Sequence, residues 1–216
     1  HRSGELTPVY VPDQDDEAIR DLVRARADTQ KALRKVKQQI NAFLLRHGIS
    51  YHGKTKWSKI HLTWLTAIKM AHPAQQIALT EYLDAMENNE ARVIRITKQL
   101  ESFCHSWRLR PVVQALQSMR GISFVSAVTI IAELGDMNRF DKPSQLMAYL
   151  GLIPSEYSTG NSIKKGGITK TGNTHARKAL IESAQAYRLP ARKSATIRKR
   201  QEGLYEEILE LTDENW

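Results

Sequence analysis

Two hydroxyl side chains, Ser158 and Thr159, stand directly ahead of Gly160 and a run of cations. A hydroxyl on a turn can attack a phosphorus atom once a base takes its proton. Cations beside it would hold the phosphates of the strand under attack. From Asn161 to Arg200, eleven Lys or Arg face one acidic residue, Glu182. That segment's net charge of +10 exceeds the +9 of the whole 216-residue chain. Lys164, Lys165, Lys170, Arg177 and Lys178 lie among Gly160, Gly166, Gly167 and Gly172. Together with Asn173 and His175 these cations are the candidate nucleic-acid contacts, because they flank glycines and lack acidic partners. A plainer reading stands beside this one. Hydroxyls before a glycine commonly bond their own backbone in a turn, and a cation run is commonly a solvated face. No Ser-His-Asp arrangement is readable, since the nearest histidine, His175, lies across the glycine-rich stretch. Neither a Walker pattern nor a dinucleotide fingerprint is present.

The composition narrows the partners. Hydrophobic content of 41% and charged content of 25% are those of an ordinary globular chain. A pI near 9.7 favours a polyanion. The charge is also local: residues 1–160 carry +5 and residues 201–216 carry −6, which is the footprint of a nucleic-acid surface. One cysteine, Cys104, rules out an internal disulfide and a Cys-rich zinc site, so a reducing compartment is expected. No run of 18 apolar residues and no signal-peptide pattern occurs, so the expected setting is cytoplasmic, without a membrane partner. The chain opens on His1, not Met, and reads as a fragment, a processed product or a truncated reading frame.

The elements that would position this chemistry read as mostly helical. Residues 1–12 form an extended lead-in bounded by prolines. Asp13, Asp15, Asp16 and Glu17 suit a first helical turn. Apolar residues then recur at helical spacing to Phe43 and Leu44, and Gly48 closes the helix. An aromatic and basic loop, Tyr51 to Lys59, and a short helix around His61–Ala71 lead to a second long helix from Ala74 to Ser106. The expectation for 13–106 is a long antiparallel helical hairpin, a coiled coil whose stripes serve mutual packing or assembly. Residues 107–190 are expected to be a compact helical domain. Its turn at Met119–Ser123 resembles a helix-hairpin-helix, with Ser123 where a second glycine is usual, in which Arg120, Gly121 and Ser123 would let backbone N–H groups approach a phosphate; a plain αα-hairpin is the alternative. Helices are also expected at Ser144–Leu150 and Thr174–Tyr187, the latter with His175, Arg177 and Lys178 facing away from its apolar side. Residues 191–216 are a basic, then acidic, tail.

Several blocks in order resemble one family: RGIS at 120–123, AELGDMNRF at 132–140, QLMAYLGLIPSEYSTG at 145–160 and GGITKTGNTHARKALIESA at 166–184. The segments GELTPVYVPD at 4–13 and RDLVRAR at 20–26 look like it as well. These resemble the bridge-RNA-guided insertion-sequence transposases of the IS-one-ten class. The resemblance implies a recombinase that cuts and joins DNA, a structured guide RNA that chooses the sites, and a homo-oligomer assembled through the coiled coil. It implies a serine nucleophile that forms a phosphoserine link, and magnesium held by a RuvC-like DEDD domain. It places those carboxylates ahead of residue 1 and further basic helix beyond Trp216. The family serine directly precedes the glycine, where this chain has Thr159, with Ser158 one residue earlier. Threonine's branched hydroxyl is the poorer nucleophile, so Thr159 acting slowly, Ser158 acting in its place, and an inactive site all remain open. The functions to be distinguished are therefore strand cleavage and joining by part of a transposase, and a non-enzymatic nucleic-acid-binding or assembly module.

Overall fold

The computed structural model describes residues 11–160 and 162–213. The lead-in expected at 1–12 lies, except for Val11 and Pro12, outside the described residues. The fold is mostly helical, as the periodicity predicts. Two compact units divide it, one formed by Arg24–Gln99 and the other by the residues before and after.

The Arg24–Gln99 unit is built on two long helices, α1 (Gln14–Arg46) and α3 (Pro73–Cys104), joined through α2 (Lys59–Ala67). Arg26 donates to the Thr97 hydroxyl at 2.7 Å, Lys37 meets Glu90 at 3.9 Å, and the Phe43 and Tyr82 rings lie 5.7 Å apart. Each step up α1 is matched by a step down α3, so the two helices run antiparallel. Leu33, Ile40, Phe43, Leu44, Leu65, Leu79 and Met86 are buried between them. Spacings of three, four and seven put those α1 residues on one face. Gly48, at φ +69°, ends α1 in the left-handed conformation. The short helix α2 stops at Ala67, ahead of the Ala71 expected from the sequence. Ser58 starts it by accepting from the His61 N–H.

The second unit packs α4 (Arg110–Ser118), α5 (Phe124–Leu134), α6 (Pro143–Tyr149), α7 (Thr174–Ala184), α8 (Ala195–Gln201) and α9 (Glu206–Asp213). Helix α5 is its centre. Ala127, Val128, Ile130, Ile131 and Leu134 are all buried, and the helix packs against α4 and α7.

The start of α1 belongs to this unit. Asp13 caps it, accepting from the Asp16 N–H at 2.8 Å. That backbone bond, and then the Arg108 guanidinium, hold the Asp13 carboxyl below its usual range. Asp16 itself is buried. It accepts from the Trp107 indole at 2.8 Å and pairs with Arg108. The acidic start of α1 therefore does more than cap, because one carboxylate anchors Trp107 in the core. The basic-then-acidic tail forms α8 and α9 against α4, where Gln201 donates to the Thr212 hydroxyl at 3.1 Å.

Candidate nucleic-acid interface

The segment that carries the hydroxyls and glycines is a β-hairpin, where the sequence alone suggests a loop. Strands β1 (Pro154–Glu156) and β2 (Lys165–Ile168) pair antiparallel, with Pro154 opposite Ile168 and Glu156 opposite Lys165. The ladder continues beyond both strands. The Tyr157 N–H donates to the Lys164 carbonyl at 2.8 Å, and Thr159 and Ser162 exchange both backbone bonds at 3.1 Å. That pairing closes the hairpin. Gly160 sits at its tip with φ +56°, in the left-handed region that tight hairpin tips require. At the base, the Lys170 N–H donates to the Gly151 carbonyl at 3.0 Å.

Ser158 and Thr159 stand beside this tip in different settings. The Ser158 hydroxyl donates to Glu156 Oε1 at 2.7 Å and accepts from the Lys164 N–H at 3.2 Å. Its proton is thus directed at a carboxylate, the geometry that a base-activated hydroxyl needs. Thr159 is exposed, and its backbone holds the hairpin tip. Glu156 carries no signal of its own in the sequence, where it is one acidic residue in an apparent loop. Among the described residues no group of three or more His, Cys, Asp or Glu comes together as a metal site. Cys104 is buried, and burial pushes its thiol up against the opposing effect of Arg110. A buried thiol of that kind is inert.

Lys164, Lys165 and Lys170 are all exposed on or beside β2. A side chain at Gly160 or Gly167 would meet nothing within 4 Å, so those two glycines leave backbone open to a ligand. Gly166 and Gly172 differ. A Cβ at Gly166 would meet the Ser155 hydroxyl at 2.5 Å, and one at Gly172, where φ is +75°, would collide with the Tyr149 carbonyl. Those two serve close packing within the chain.

Helix α7 begins at the base of the hairpin. Asn173 caps it, accepting from the Ala176 N–H at 3.0 Å while its amide donates to buried Glu133 at 2.7 Å. His175 is exposed, and exposed Lys178 lies 3.8 Å from Glu182. The expectation that Arg177 faces outward with them is corrected. Arg177 is buried and donates to the Leu150 carbonyl at 2.9 Å and the Thr171 carbonyl at 2.7 Å. Carbonyls from two other segments converge on this position, so the guanidinium closes the hairpin base onto α7. A cation's charge is visible in sequence, but the direction it takes is not.

The turn between α4 and α5 lies at the other end of α7. Gly121, at φ +80°, faces α7 so closely that a Cβ would collide with the Ser183 carbonyl and meet the Ala186 Cβ at 2.7 Å. Arg120 donates to the carbonyls of Ala186, Leu189 and Pro190 at 2.6–2.8 Å. Ser123 caps α5 by accepting from the Ser126 N–H at 3.2 Å. Eleven residues of α7 span roughly 16 Å, so the sequence candidates fall into two groups. Ser158, Thr159, Lys164 and Lys165 lie along the hairpin, with Lys170 at its base and Asn173 and His175 at the start of α7. Arg120, Gly121 and Ser123 are apart from them.

Residues 113–200, which contain both groups, match the model of the Transposase IS116/IS110/IS902 family. The chain is 47% identical over 191 residues to y4qE of Sinorhizobium fredii, which carries a transposase name; the match covers 88% of this chain and 46% of y4qE. It is 38% identical over 73 residues to the transposase for insertion sequence element IS1111A of Coxiella burnetii, covering 34% of this chain and 20% of that protein. Against the transposase for insertion sequence element IS1533 of Leptospira borgpetersenii it is 27% identical over 202 residues, covering 89% and 56%. The chain spans about half the length of the relatives it matches most extensively. The segment that folds as α4 to α8, with the hairpin at its centre, is the part of the chain that is similar to the IS116/IS110/IS902 transposase family.

Proposed function

We propose that this chain is the part of an insertion-sequence transposase that binds DNA and a structured guide RNA and supplies the hydroxyl for strand cleavage and joining. The observation that carries the reading is the Ser158–Glu156 hydrogen bond at 2.7 Å, on a hairpin flanked by Lys164 and Lys165 and inside the segment similar to that transposase family. In the proposed step the Ser158 oxygen bonds to phosphorus and its proton passes to the Glu156 carboxylate. The phosphodiester P–O bond breaks, and the displaced oxygen takes a proton from solvent water and leaves as a strand-terminal hydroxyl. Joining is the reverse attack, by a new strand's hydroxyl on the phosphoserine. Exposed lysines on β2 balance the phosphate charge. Thr159, at the family's serine position by resemblance, acts in this reading as the residue that pairs the hairpin tip.

The resemblance supports the remaining parts. A RuvC-like domain of the whole protein holds magnesium through its carboxylates, the guide RNA selects the sites by pairing, and the α1–α3 hairpin joins copies into an oligomer at the cytoplasmic nucleoid. The test is strand joining by the whole transposase carrying Ser158→Ala or Thr159→Ala, with DNA binding measured alongside. Ser158→Ala is expected to abolish joining with affinity retained, and Thr159→Ala to keep it. Joining that survives Ser158→Ala overturns the assignment. A chain that binds DNA but joins nothing in any form would be a binding module.

A further inference from the structure

A second surface in the Arg24–Gln99 unit lies outside the transposase-family match. Residues 29–80 contain nine Lys or Arg and no Asp or Glu. At the end of α1, before and after the start of α2, four rings gather from a short stretch. Tyr51 lies 4.5 Å from His61 and 5.0 Å from Trp64 between ring centroids, and His61 stacks with Trp64 at 5.6 Å. Trp57 meets His61 edge-on at 5.1 Å. Tyr51 folds over Gly53, where any side chain would collide with the phenol ring. These rings are not simply core. Tyr51, Trp57 and Trp64 are each only half-buried.

Beside them is a cleft of about 300 Å³, lined by Tyr51, Trp64, His61, Asn41, Ala42 and Lys56 among others. His61 is 1% exposed, and its orientation is fixed: Nδ1 accepts the Trp57 N–H at 3.0 Å. That bond puts the ring proton on Nε2. His61 is among the residues lining the cleft, and Nε2 is the ring's remaining donor. Exposed Lys56 lines it, and Lys54 and Lys59, two and three residues away in sequence, are exposed as well, whereas Lys37 on α1 is matched to Glu90. Half-buried rings, a ring donor and cations without acidic neighbours are what a single strand requires. Bases stack on the rings, and the backbone tracks the positive charge. A duplex keeps its base faces covered and could use only the lysines.

We propose that this cleft holds one unpaired nucleotide of a single-stranded nucleic acid, its base against Tyr51 and Trp64, its edge on His61 Nε2 and its phosphates on Lys54, Lys56 and Lys59. The cleft is independent of the hairpin chemistry. It can be tested in the full chain carrying Lys164→Ala, Lys165→Ala and Lys170→Ala, which removes the hairpin's contribution. Fluorescein-labelled ten-nucleotide uridine RNA, the matching thymidine DNA and a duplex of equal length are titrated while tryptophan fluorescence and anisotropy are read. Single strands are expected to bind more tightly than the duplex and to quench tryptophan. Ala42→Phe, an exposed position whose ring would fill the cleft, is expected to remove the quench and weaken binding roughly tenfold. The melting temperature of that variant shows that the fold is retained. Preference for RNA identifies a guide strand as the occupant, and preference for DNA identifies a displaced DNA strand. Equal affinity of Ala42→Phe and the parent overturns the proposal, as does duplex binding without quenching.

Discussion

Glu156 and Ser158 lie two residues apart on the same side of a β-hairpin, and the serine hydroxyl donates to the glutamate at 2.7 Å. Alternation along a strand puts residues i and i+2 on one face, so this pairing follows from the hairpin itself. A turn that merely bonded its own backbone would not aim the proton at a carboxylate. Glu156→Gln keeps the shape and removes the base. A fall in joining rate of about 10²–10⁴-fold is predicted in the whole transposase, the range of general-base catalysis. A Gln variant with the parent's rate would remove Glu156 from the chemistry.

Neutralising Lys164, Lys165 and Lys170 together is predicted to weaken DNA binding and flatten its salt dependence. Three phosphate contacts contribute a slope of about 2.7 in log affinity against log salt. Anisotropy titrations across a salt series read that slope directly. An unchanged slope would make the β2 cations a solvated face.

Arg177 is predicted to behave oppositely. Arg177→Met leaves the Leu150 and Thr171 carbonyls without their charged donor, at a cost of about 2–4 kcal/mol. The melting temperature should drop while the salt slope of DNA binding stays as it was. A lower slope at unchanged stability would place this guanidinium on phosphate after all.

His61 gives the Arg24–Gln99 unit a pH dependence. Burial first, and Lys56 second, depress its pKa below the ordinary 6.5. The unfolded chain therefore takes up the proton before the folded one does. Stability from this site is complete above pH 6.5 and is lost as pH falls from there through the lower folded value. Thermal melts between about pH 7.5 and 5 should show the loss, and His61→Phe should show less of it. A unit that gains stability on acidification would contradict the Nδ1 acceptor role.

The helices were legible because their signals are local: apolar spacing from Leu33 to Leu44, an acidic first turn after Asp13, and glycine at Gly48. The hairpin was not. Residues 154–168 lack apolar alternation, so backbone pairing and the tip, not a buried face, define it. The Gly160-Asn161 pair between Thr159 and Ser162 was the available sign. Charge was readable in Arg120 and Arg177, but their carbonyl partners come from other segments of the chain. The pairing of buried Glu133 with Asn173 spans 40 residues, and no local pattern announces it.

The most direct test is to trap the covalent intermediate. The whole transposase is incubated with a nicked DNA that cannot rejoin, digested, and the nucleotide-bearing peptide is sequenced by mass spectrometry. The predicted result is a phosphodiester-linked nucleotide on Ser158 and none on Thr159. An adduct on Thr159, or strand cleavage with no adduct on this hairpin, would contradict the assignment of Ser158 as nucleophile.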